Sequence, residues 1–200
     1  MPTAVVTGGA GFLGSHLCDF LLEKGHRVIC VDNLLTSTLT NLEHIRDDAF
    51  TFVNHDVIDH VEIEEPVDVV YHLAALASPI DYLRQPLHSL KVGSYGTHHA
   101  LGLAKFKRAR FLLASTSEEH LPVNLGNPDE FTLLELANAV IKVTGSDSPI
   151  VFEALPIDDP QVRQPDITRA RQLLGWEPEI QLEEGLRRML PSLGREPLGV

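Results

Sequence analysis

Cysteine is scarce in this sequence, which has only Cys18 and Cys30 among its 200 residues. Cys18 falls in a predicted helix and Cys30 in a predicted strand, where each is expected to be a small buried apolar residue. Two cysteines with this spacing exclude a disulfide framework and a paired Cys-x-x-Cys metal motif.

Long apolar runs and basic runs are also missing. No segment reaches the roughly 18 apolar residues that a membrane-spanning helix needs, and no basic stretch precedes an apolar run at the start. We therefore expect no membrane contact and no signal peptide, and we expect the cytoplasm as the compartment. The formal net charge is −12, which repels phosphate backbones and argues against a nucleic-acid partner. The ten histidines show no H-E-x-x-H spacing, so no metal site is predicted.

Strand and helix patterns alternate through the first part of the chain. Five short segments rich in apolar and β-branched residues are predicted as strands, and helical patterns lie between them. This alternation predicts an α/β fold, a Rossmann-like doubly wound parallel sheet of about five strands. The predicted strands cover residues 3–8, 27–32, 50–56, 67–75 and 110–116, and the predicted helices cover residues 12–25, 39–47 and 82–105.

The last part of the chain is predicted to be a small helical region. Thr132 and Glu135 have the spacing of a capping box before an amphipathic stretch, and Gly145 is placed to end that helix. We therefore predict two domains, residues 1–118 and residues 119–200. The predicted helices of the second domain lie within residues 131–145, 166–176 and 182–193, and Pro191 is expected to stop the last of them.

The glycine-rich stretch after the first strand is the most informative motif. Gly9 to Gly14 fits G-x-G-x-x-G, follows a strand and opens a helix, and Gly8 and Gly11 add an overlapping G-x-x-G-x-x-G register. Such glycines permit a tight turn, a close approach of pyrophosphate to the backbone, and close packing of helix on strand. The helix start then directs free N–H groups at phosphates. The motif predicts dinucleotide binding; a glycine-rich turn used only for packing is the alternative.

Asp32, at the end of the second predicted strand, indicates which dinucleotide binds. An acidic side chain at this position accepts hydrogen bonds from the ribose hydroxyls of the adenosine and repels a 2′-phosphate. Asn33 follows it, rather than an arginine that would favour the phosphate. The predicted cofactor is therefore NAD rather than NADP.

A family resemblance rests on eight stretches of the sequence. They are VTGGAGFLGSHL, VDN, NHDV, YHLAALASP, LKVGSYGTHHALGLAK, RFLLASTSE, PVNLGNPDEFTLLELANAV and DDPQVRQPDITRARQLLGWEPEIQLEEGL. Together they resemble the extended short-chain dehydrogenase/reductases, the NAD-dependent epimerase/dehydratase family, and within it the UDP-glucuronate decarboxylases. The resemblance implies NAD as cofactor, a UDP-sugar as ligand, and the conversion of UDP-glucuronate to UDP-xylose and CO2.

The resemblance also implies roles for residues that follow the predicted strands. Gly8, Gly11 and Gly14 would hold the pyrophosphate, and Phe12 and Leu13 between them would also bind the cofactor. Asp32 and Asn33 would hold the adenosine ribose, and Asp56 and Val57 would contact the adenine. The residues that would line the cofactor beyond the fourth strand are Leu73, Ala74 and Ala75.

The catalytic candidates come from the same resemblance. Thr116, Ser117 and Glu118 match the family's active-site stretch, in which Ser117 would hydrogen-bond the sugar C4 oxygen and Glu118 would lie beside the sugar carboxylate. Arg163 matches an arginine that the family uses at the substrate. The region after residue 118 would then be a remnant of the sugar-nucleotide-binding region.

One segment that the family contains is missing here. In the family, the STSE stretch is followed by a Tyr-x-x-x-Lys helix and much of the sugar-nucleotide pocket, whereas here STSE meets EHLPVNLGNP almost directly. The missing piece is on the order of a hundred residues, the size of a small domain. The residues four positions after Tyr71, Tyr82 and Tyr95 are an alanine, a proline and a histidine, so no tyrosine here has a lysine at that spacing.

The missing pair matters because a tyrosine acts as a base near neutral pH only when a neighbouring cation lowers its pKa from about 10. We therefore expect a decarboxylase-like protein that binds NAD but is inactive or impaired, with weak or lost UDP-sugar binding. One alternative is an active nucleotide-sugar enzyme with a substitute base. His120 is the candidate, although an exposed loop histidine is the simpler interpretation. The other alternative is a deletion or splice product without function.

The missing segment also has a structural consequence. In the family, the absent helix packs beside the long helix that is predicted here over residues 82–105, and the pair forms a dimer interface. Uncovered apolar side chains drive association. We therefore expect a homo-oligomer, a dimer or larger, or a hetero-oligomer with a full-length homologue. The side chains expected to be exposed are Leu83, Leu87, Leu90, Leu101 and Leu103.

Overall fold

The computed structural model describes residues 1–115, 123–152 and 164–193. The chain divides into two compact units, Met1–Ala114 and Ser115–Val200. The first unit contains the parallel sheet, and the described part of the second unit is helical. The boundary predicted after residue 118, with a function for each side, stays a prediction.

The first unit is built on a five-stranded parallel sheet in the order β3-β2-β1-β4-β5. This confirms the predicted Rossmann-like α/β fold. The chain runs outward from β1 to β3 and then returns to the other side of β1 as β4, so the connections separate at the carboxyl ends of β1 and β4. Ligands of such sheets bind at this point. The strands are β1 (Thr3–Thr7), β2 (Arg27–Asp32), β3 (Phe50–Asn54), β4 (Val69–His72) and β5 (Arg110–Leu113).

Both faces of the sheet are covered, as a doubly wound fold requires. Alternate residues of β1 point to opposite faces: Val5 joins one hydrophobic cluster, and Val6 joins the other together with Cys18 and Cys30. Both cysteines are free and fully buried, as predicted. The helices of this unit are α1 (Phe12–Glu23), α2 (Pro79–Arg84), α3 (Pro86–Lys91) and α4 (Thr97–Lys107).

The long helical stretch predicted over residues 82–105 is helical along most of its length, but it is broken at Gln85. The chain leaves the helical conformation at Gln85 (φ −131°, ψ 58°), directly before Pro86, because a residue that precedes proline is disfavoured in the α region. A π-helical turn, Val92–Gly96, then separates α3 from α4. The weaker helix predicted over residues 39–47 is only a 3₁₀ turn, Leu39–Leu42.

The exposure of the leucines in this region was predicted correctly in four of five cases. Leu83, Leu87 and Leu90 are 73%, 75% and 68% exposed, and Leu101 is 47% exposed. Leu103 is buried in the core beside the sheet, which corrects the prediction for that residue. Its side chain lies on the face of α4 that packs on the strands, whereas Leu101 lies two residues away on another face.

The second unit contains α5 (Leu133–Thr144), α6 (Thr168–Leu174) and α7 (Leu182–Met189), followed by a 3₁₀ turn, Leu190–Leu193. The predicted capping box is confirmed. Thr132 Oγ1 accepts a hydrogen bond from the Glu135 N–H over 3.1 Å, and Glu135 Oε2 accepts one from the Thr132 N–H over 2.7 Å. No helix in the described ranges is long and apolar enough to cross a bilayer.

The second unit has little core. Its buried apolar side chains in the described ranges are Val143, Ile167, Ala170 and Leu190, whereas Leu133 remains 76% exposed. The apolar stripe of α5 is therefore only partly covered. A helix usually buries such a stripe against a neighbouring element, so this unit exposes apolar surface in the isolated chain.

Candidate nucleotide-binding site

The glycine loop lies between the carboxyl end of β1 and the start of α1. The Gly8 N–H donates to the Val31 carbonyl over 2.8 Å, and Gly8 has φ +71°, a conformation that favours glycine. A Cβ atom on Gly14 would overlap the carbonyl oxygen of Gly8. Both residues are therefore glycine for a steric reason, and the loop can turn directly under the first turn of the helix.

The start of α1 presents backbone N–H groups without a side-chain cap. Gly11 is the N-cap residue, and the first helical bond runs from the Ser15 N–H to the Gly11 carbonyl over 2.9 Å. Among the described residues, no side chain caps this end of the helix. Phe12 and Leu13 are 47% and 69% exposed there. An uncapped helix start next to a glycine loop is a favourable position for a phosphate group.

Asp32 connects the end of β2 to the glycine loop. Its Oδ2 accepts the Ala10 N–H over 3.0 Å, and its Oδ1 accepts the Leu34 N–H over 2.8 Å and the Ser37 hydroxyl over 2.9 Å. The residue is only 9% exposed. A carboxylate has about four acceptor positions, so these three donors leave capacity for one further donor.

Asn33 and Asp56 form the next part of this edge of the sheet. Asn33 Nδ2 donates to Asp56 Oδ2 over 2.8 Å, and Asp56 Oδ1 accepts the Ile58 N–H over 3.0 Å. His88 Nε2 lies 3.4 Å from Asp56 Oδ2. Val57 is buried in the core. The structure therefore brings two of the predicted cofactor-binding residues, Asn33 and Asp56, into contact.

The residues after β4 lie against the glycine loop. A Cβ atom on Gly8 would lie 2.8 Å from the Ala74 nitrogen, so the two backbones approach closely. The Leu73 N–H donates to the Thr7 carbonyl over 3.1 Å. Leu73 and Ala74 are half-buried, and Ala75 is exposed. Leu73 and Ala74 therefore lie beside the point at which the loop leaves β1.

This arrangement fits a dinucleotide with adenosine and pyrophosphate parts. Glycine backbone and uncapped N–H groups can receive the pyrophosphate, and the carboxylate of Asp32 can receive a ribose hydroxyl. The negative charge of Asp32 would repel a 2′-phosphate at the same place. The geometry is therefore suited to NAD and unsuited to NADP.

Sequence reasoning missed several residues that shape the site. Ser37 donates to Asp32, and Asn41 Nδ2 donates to the Ala10 carbonyl over 2.8 Å. Thr7 and His72 form a buried hydrogen bond beneath the loop. No local pattern marks Ser37 or Asn41, whereas His72 stands inside the stretch YHLAALASP that carries part of the family resemblance.

The catalytic candidates and the substitute base lie outside the described residues. They are Thr116, Ser117, Glu118, His120 and Arg163. Within the described ranges, no group of three or more His, Cys, Asp or Glu side chains is arranged to hold a metal ion.

The sheet order, the glycine loop and the acidic residue that ends β2 together define a Rossmann-type nucleotide-binding protein. Comparison with known proteins gives the family. The family model described as GDP-mannose 4,6 dehydratase matches residues 5–120, which is more than half of the chain, and the chain belongs to this family.

Several similar proteins carry the name UDP-glucuronic acid decarboxylase. UDP-glucuronic acid decarboxylase 1 of Danio rerio is 32% identical to this chain, and the alignment covers 96% of this chain and 72% of that protein. UDP-glucuronic acid decarboxylase 4 of Arabidopsis thaliana is 30% identical, with coverages of 98% and 69%.

A solved relative connects the fold to the cofactor. UDP-glucose-4-epimerase of Stenotrophomonas maltophila has a structure with bound NAD and formylated UDP-arabinopyranose, and it is 31% identical to this chain. The TM-score is 0.53, and the match covers 62% of this chain and 41% of the epimerase. NAD, the cofactor predicted from the sequence, is thus the cofactor bound in a relative.

The comparison also measures the missing segment. The alignment with the Danio rerio protein extends over 305 positions, but 96% of this chain is only 192 residues. In about 113 of those positions the relative has a residue and this chain has none. This confirms the prediction of an internal deletion of about a hundred residues relative to the family.

Proposed function

We propose that the first unit binds NAD, with the glycine loop and the start of α1 under the pyrophosphate and Asp32 at the adenosine ribose. The observation that carries the proposal is the hydrogen bond from the Ala10 N–H to the buried carboxylate of Asp32 over 3.0 Å. This hydrogen bond holds the acidic group beside the glycine loop, which supports a ribose at Asp32 next to a pyrophosphate at the loop. Bound NAD would supply hydride-transfer chemistry.

We further propose that the chain is a decarboxylase-like protein of nucleotide-sugar metabolism that is inactive or impaired. The support is the missing Tyr-x-x-x-Lys pair, since no tyrosine of the chain has a lysine four residues later. A positioned acid–base group typically accelerates a reaction about 10²–10⁴-fold. Most of the UDP-sugar pocket of the family would be absent as well, so a UDP-sugar should bind weakly or not at all.

Titration calorimetry with NAD and NADP tests the first proposal. We expect NAD to bind and NADP to bind at least about tenfold more weakly, because Asp32 repels the 2′-phosphate. Gly11→Ala adds a methyl group 3.2 Å from the Gly8 carbonyl, in the loop itself, and should weaken NAD binding. Gly102→Ala is the matched control because nothing lies within 4 Å of its Cβ position. A wild-type chain that does not bind NAD would refute the proposal.

Incubation with NAD and UDP-glucuronate tests the second proposal. We expect no CO2, no UDP-xylose and no 4-keto sugar above the rate without protein. Product formed at an ordinary enzymatic rate would instead establish an active enzyme with a substitute base, and His120→Ala would then test that residue. A chain that binds no NAD and does not unfold cooperatively would establish the third possibility, a deletion product without function.

The remaining proposal concerns partners. An NAD-binding chain that lacks the Tyr-x-x-x-Lys residues can still act by forming a mixed oligomer with a full-length homologue. The exposed leucines of α2 and α3 would form the contact. The support is the exposure of Leu83, Leu87 and Leu90. Mixing the chain with a full-length family member, followed by size-exclusion chromatography with light scattering, would detect a mixed oligomer. Separate elution of the two proteins at micromolar concentration would contradict the proposal.

A further inference from the structure

A hydrogen-bonded group of three side chains lies beneath the glycine loop. His72, the last residue of β4, is 2% exposed, and its Nδ1 lies 2.7 Å from Thr7 Oγ1 at the end of β1. Its Nε2 lies 3.4 Å from Thr97 Oγ1 at the start of α4. The ring also stacks on Phe111 of β5, with 6.2 Å between the ring centres. One imidazole thus connects three elements that converge at the site.

The donors in this group can be assigned from the partners. The Ala74 N–H donates to Thr7 Oγ1 over 3.4 Å, and Thr7 is only 1% exposed, so its hydroxyl proton needs a buried acceptor. The nearest one is Nδ1 of His72. The ring proton then sits on Nε2 and points at the Thr97 hydroxyl. Burial lowers the pKa of His72, which keeps the ring neutral near pH 7, as this arrangement requires.

The same group borders the glycine loop directly. Thr7 immediately precedes Gly8, whose backbone lies against that of Ala74. The Thr7 carbonyl accepts the Leu73 N–H, and the Thr7 hydroxyl accepts the Ala74 N–H. Thr7 therefore holds both residues that follow His72, and His72 in turn orients the Thr7 hydroxyl.

A core packing role alone does not require a histidine. An apolar side chain of similar size would fill the space, but it would leave the buried Thr7 hydroxyl without its acceptor, and a buried polar atom costs free energy unless it is hydrogen-bonded. Histidine is suited to this place because its two ring nitrogens, one an acceptor and one a donor, face the hydroxyl groups of two different elements. The bonds span 65 residues to Thr7 and 25 residues to Thr97.

We propose that His72 is a positioning residue of the nucleotide site: its neutral, Nε2-protonated ring orients Thr7 and thereby holds the glycine loop against the end of β4. This inference rests on the proposed binding of NAD to that loop. It adds to the site a residue that need not touch the cofactor.

Nuclear magnetic resonance of the ring nitrogens tests the assignment without any ligand. We expect the ¹⁵N shifts of His72 at pH 7.5 to show a protonated Nε2 and an unprotonated Nδ1. We also expect slow exchange of the Ala74 amide, which should become faster in Thr7→Val. A ring protonated on Nδ1, or a charged ring, would overturn the inference.

Substitutions of Thr7 test the link to binding. Thr7→Val removes the hydroxyl with little change of shape and should weaken NAD binding about tenfold, whereas Thr7→Ser keeps the hydroxyl and should restore most of the affinity. Thr3→Val is the matched control, because it makes the same change at the other end of β1. Near-ultraviolet circular dichroism of the tyrosines reports folding, since all three lie in the first unit.

The outcomes separate the two proposals. A wild-type chain that does not bind NAD refutes the proposed function. A wild-type chain that binds NAD, with a folded Thr7→Val variant that binds it equally well, refutes only the role of His72 and Thr7. A loss of affinity in Thr7→Val that Thr7→Ser does not reverse also contradicts the role of the hydroxyl.

Discussion

The carboxylate of Asp32 and the backbone N–H of Ala10 are joined by a 3.0 Å hydrogen bond, which fixes the end of β2 against the glycine loop. The two residues are 22 positions apart in the sequence. The bond has two effects, since it stabilises the loop and places a negative charge at one end of it. Both effects can be tested separately, and the second defines the choice between NAD and NADP.

Replacing Asp32 by asparagine should reduce the preference for NAD. Asparagine keeps the shape but removes the charge that repels a 2′-phosphate, so the ratio of the NAD and NADP affinities should fall by about tenfold. Calorimetry with both dinucleotides measures the ratio. Asp48→Asn, an exposed residue before the amino end of β3, is the control and should leave the ratio unchanged. An unchanged ratio in Asp32→Asn would mean that Asp32 does not face the ribose.

Replacing Gly14 by alanine should destabilise the first unit. The new methyl group would overlap the carbonyl oxygen of Gly8, and overpacking of this kind typically costs about 1–3 kcal/mol. The same substitution at Gly102 meets no atom within 4 Å and lies in α4, so it should stabilise by about 1 kcal/mol. Urea unfolding, monitored by the circular dichroism of the tyrosines, measures the change in the free energy of unfolding for both variants. Equal stability of the two variants would contradict the loop geometry.

The stability of the first unit should fall in mild acid because of His72. Burial lowers the pKa of His72 in the folded state below its ordinary value of 6.5, so the unfolded chain binds the proton first. Neutral His72 therefore contributes fully to the free energy of unfolding above pH 6.5. This contribution is lost as the pH falls from 6.5 towards the lower pKa that His72 has in the folded state. One proton gives a slope of at most about 1.4 kcal/mol per pH unit.

Urea midpoints at several values between pH 5 and pH 8 would measure this slope. His72→Gln should show a smaller slope than the wild type, because glutamine does not titrate in this range. His98→Gln, an exposed histidine of α4, should keep the wild-type slope. If His72→Gln and the wild type have the same slope, His72 is not a buried neutral residue.

The exposed leucines of α2 and α3 should make the chain associate. Leu83, Leu87 and Leu90 are each about 70% exposed and close together in the sequence; an exposed apolar patch of this kind favours contact with another surface. Replacing all three by lysine should shift the mass measured by light scattering towards the monomer. Leu173 and Leu174 of α6, which are 67% and 60% exposed, provide a control in the second unit. Replacing these two by lysine should leave the measured mass unchanged. A wild-type monomer at micromolar concentration would refute the prediction.

Features that depend on a few adjacent residues were predictable. The capping box of Thr132 and Glu135 needs only residues three positions apart, and it forms as expected. The glycine loop likewise follows from a strand, a run of glycines and a helix in direct succession. The break at Gln85 and Pro86 was equally local, and it was missed because the apolar spacing on both sides suggested one helix.

Sequence alone therefore determined the parallel α/β fold, the glycine loop and the acidic end of β2, because each depends on residues that are close together in the chain. The missing segment followed from the resemblance to a family whose members contain it. Only the tertiary structure decided that Thr7, His72 and Thr97 meet, that Asn33 contacts Asp56, and that Leu103 is buried while Leu101 is exposed. The contact of Thr7 with His72 depends on the register of β1 against β4, and the contact of Asn33 with Asp56 depends on the pairing of β2 with β3. Both are set by packing between segments far apart in the chain, and no local pattern of residues records them.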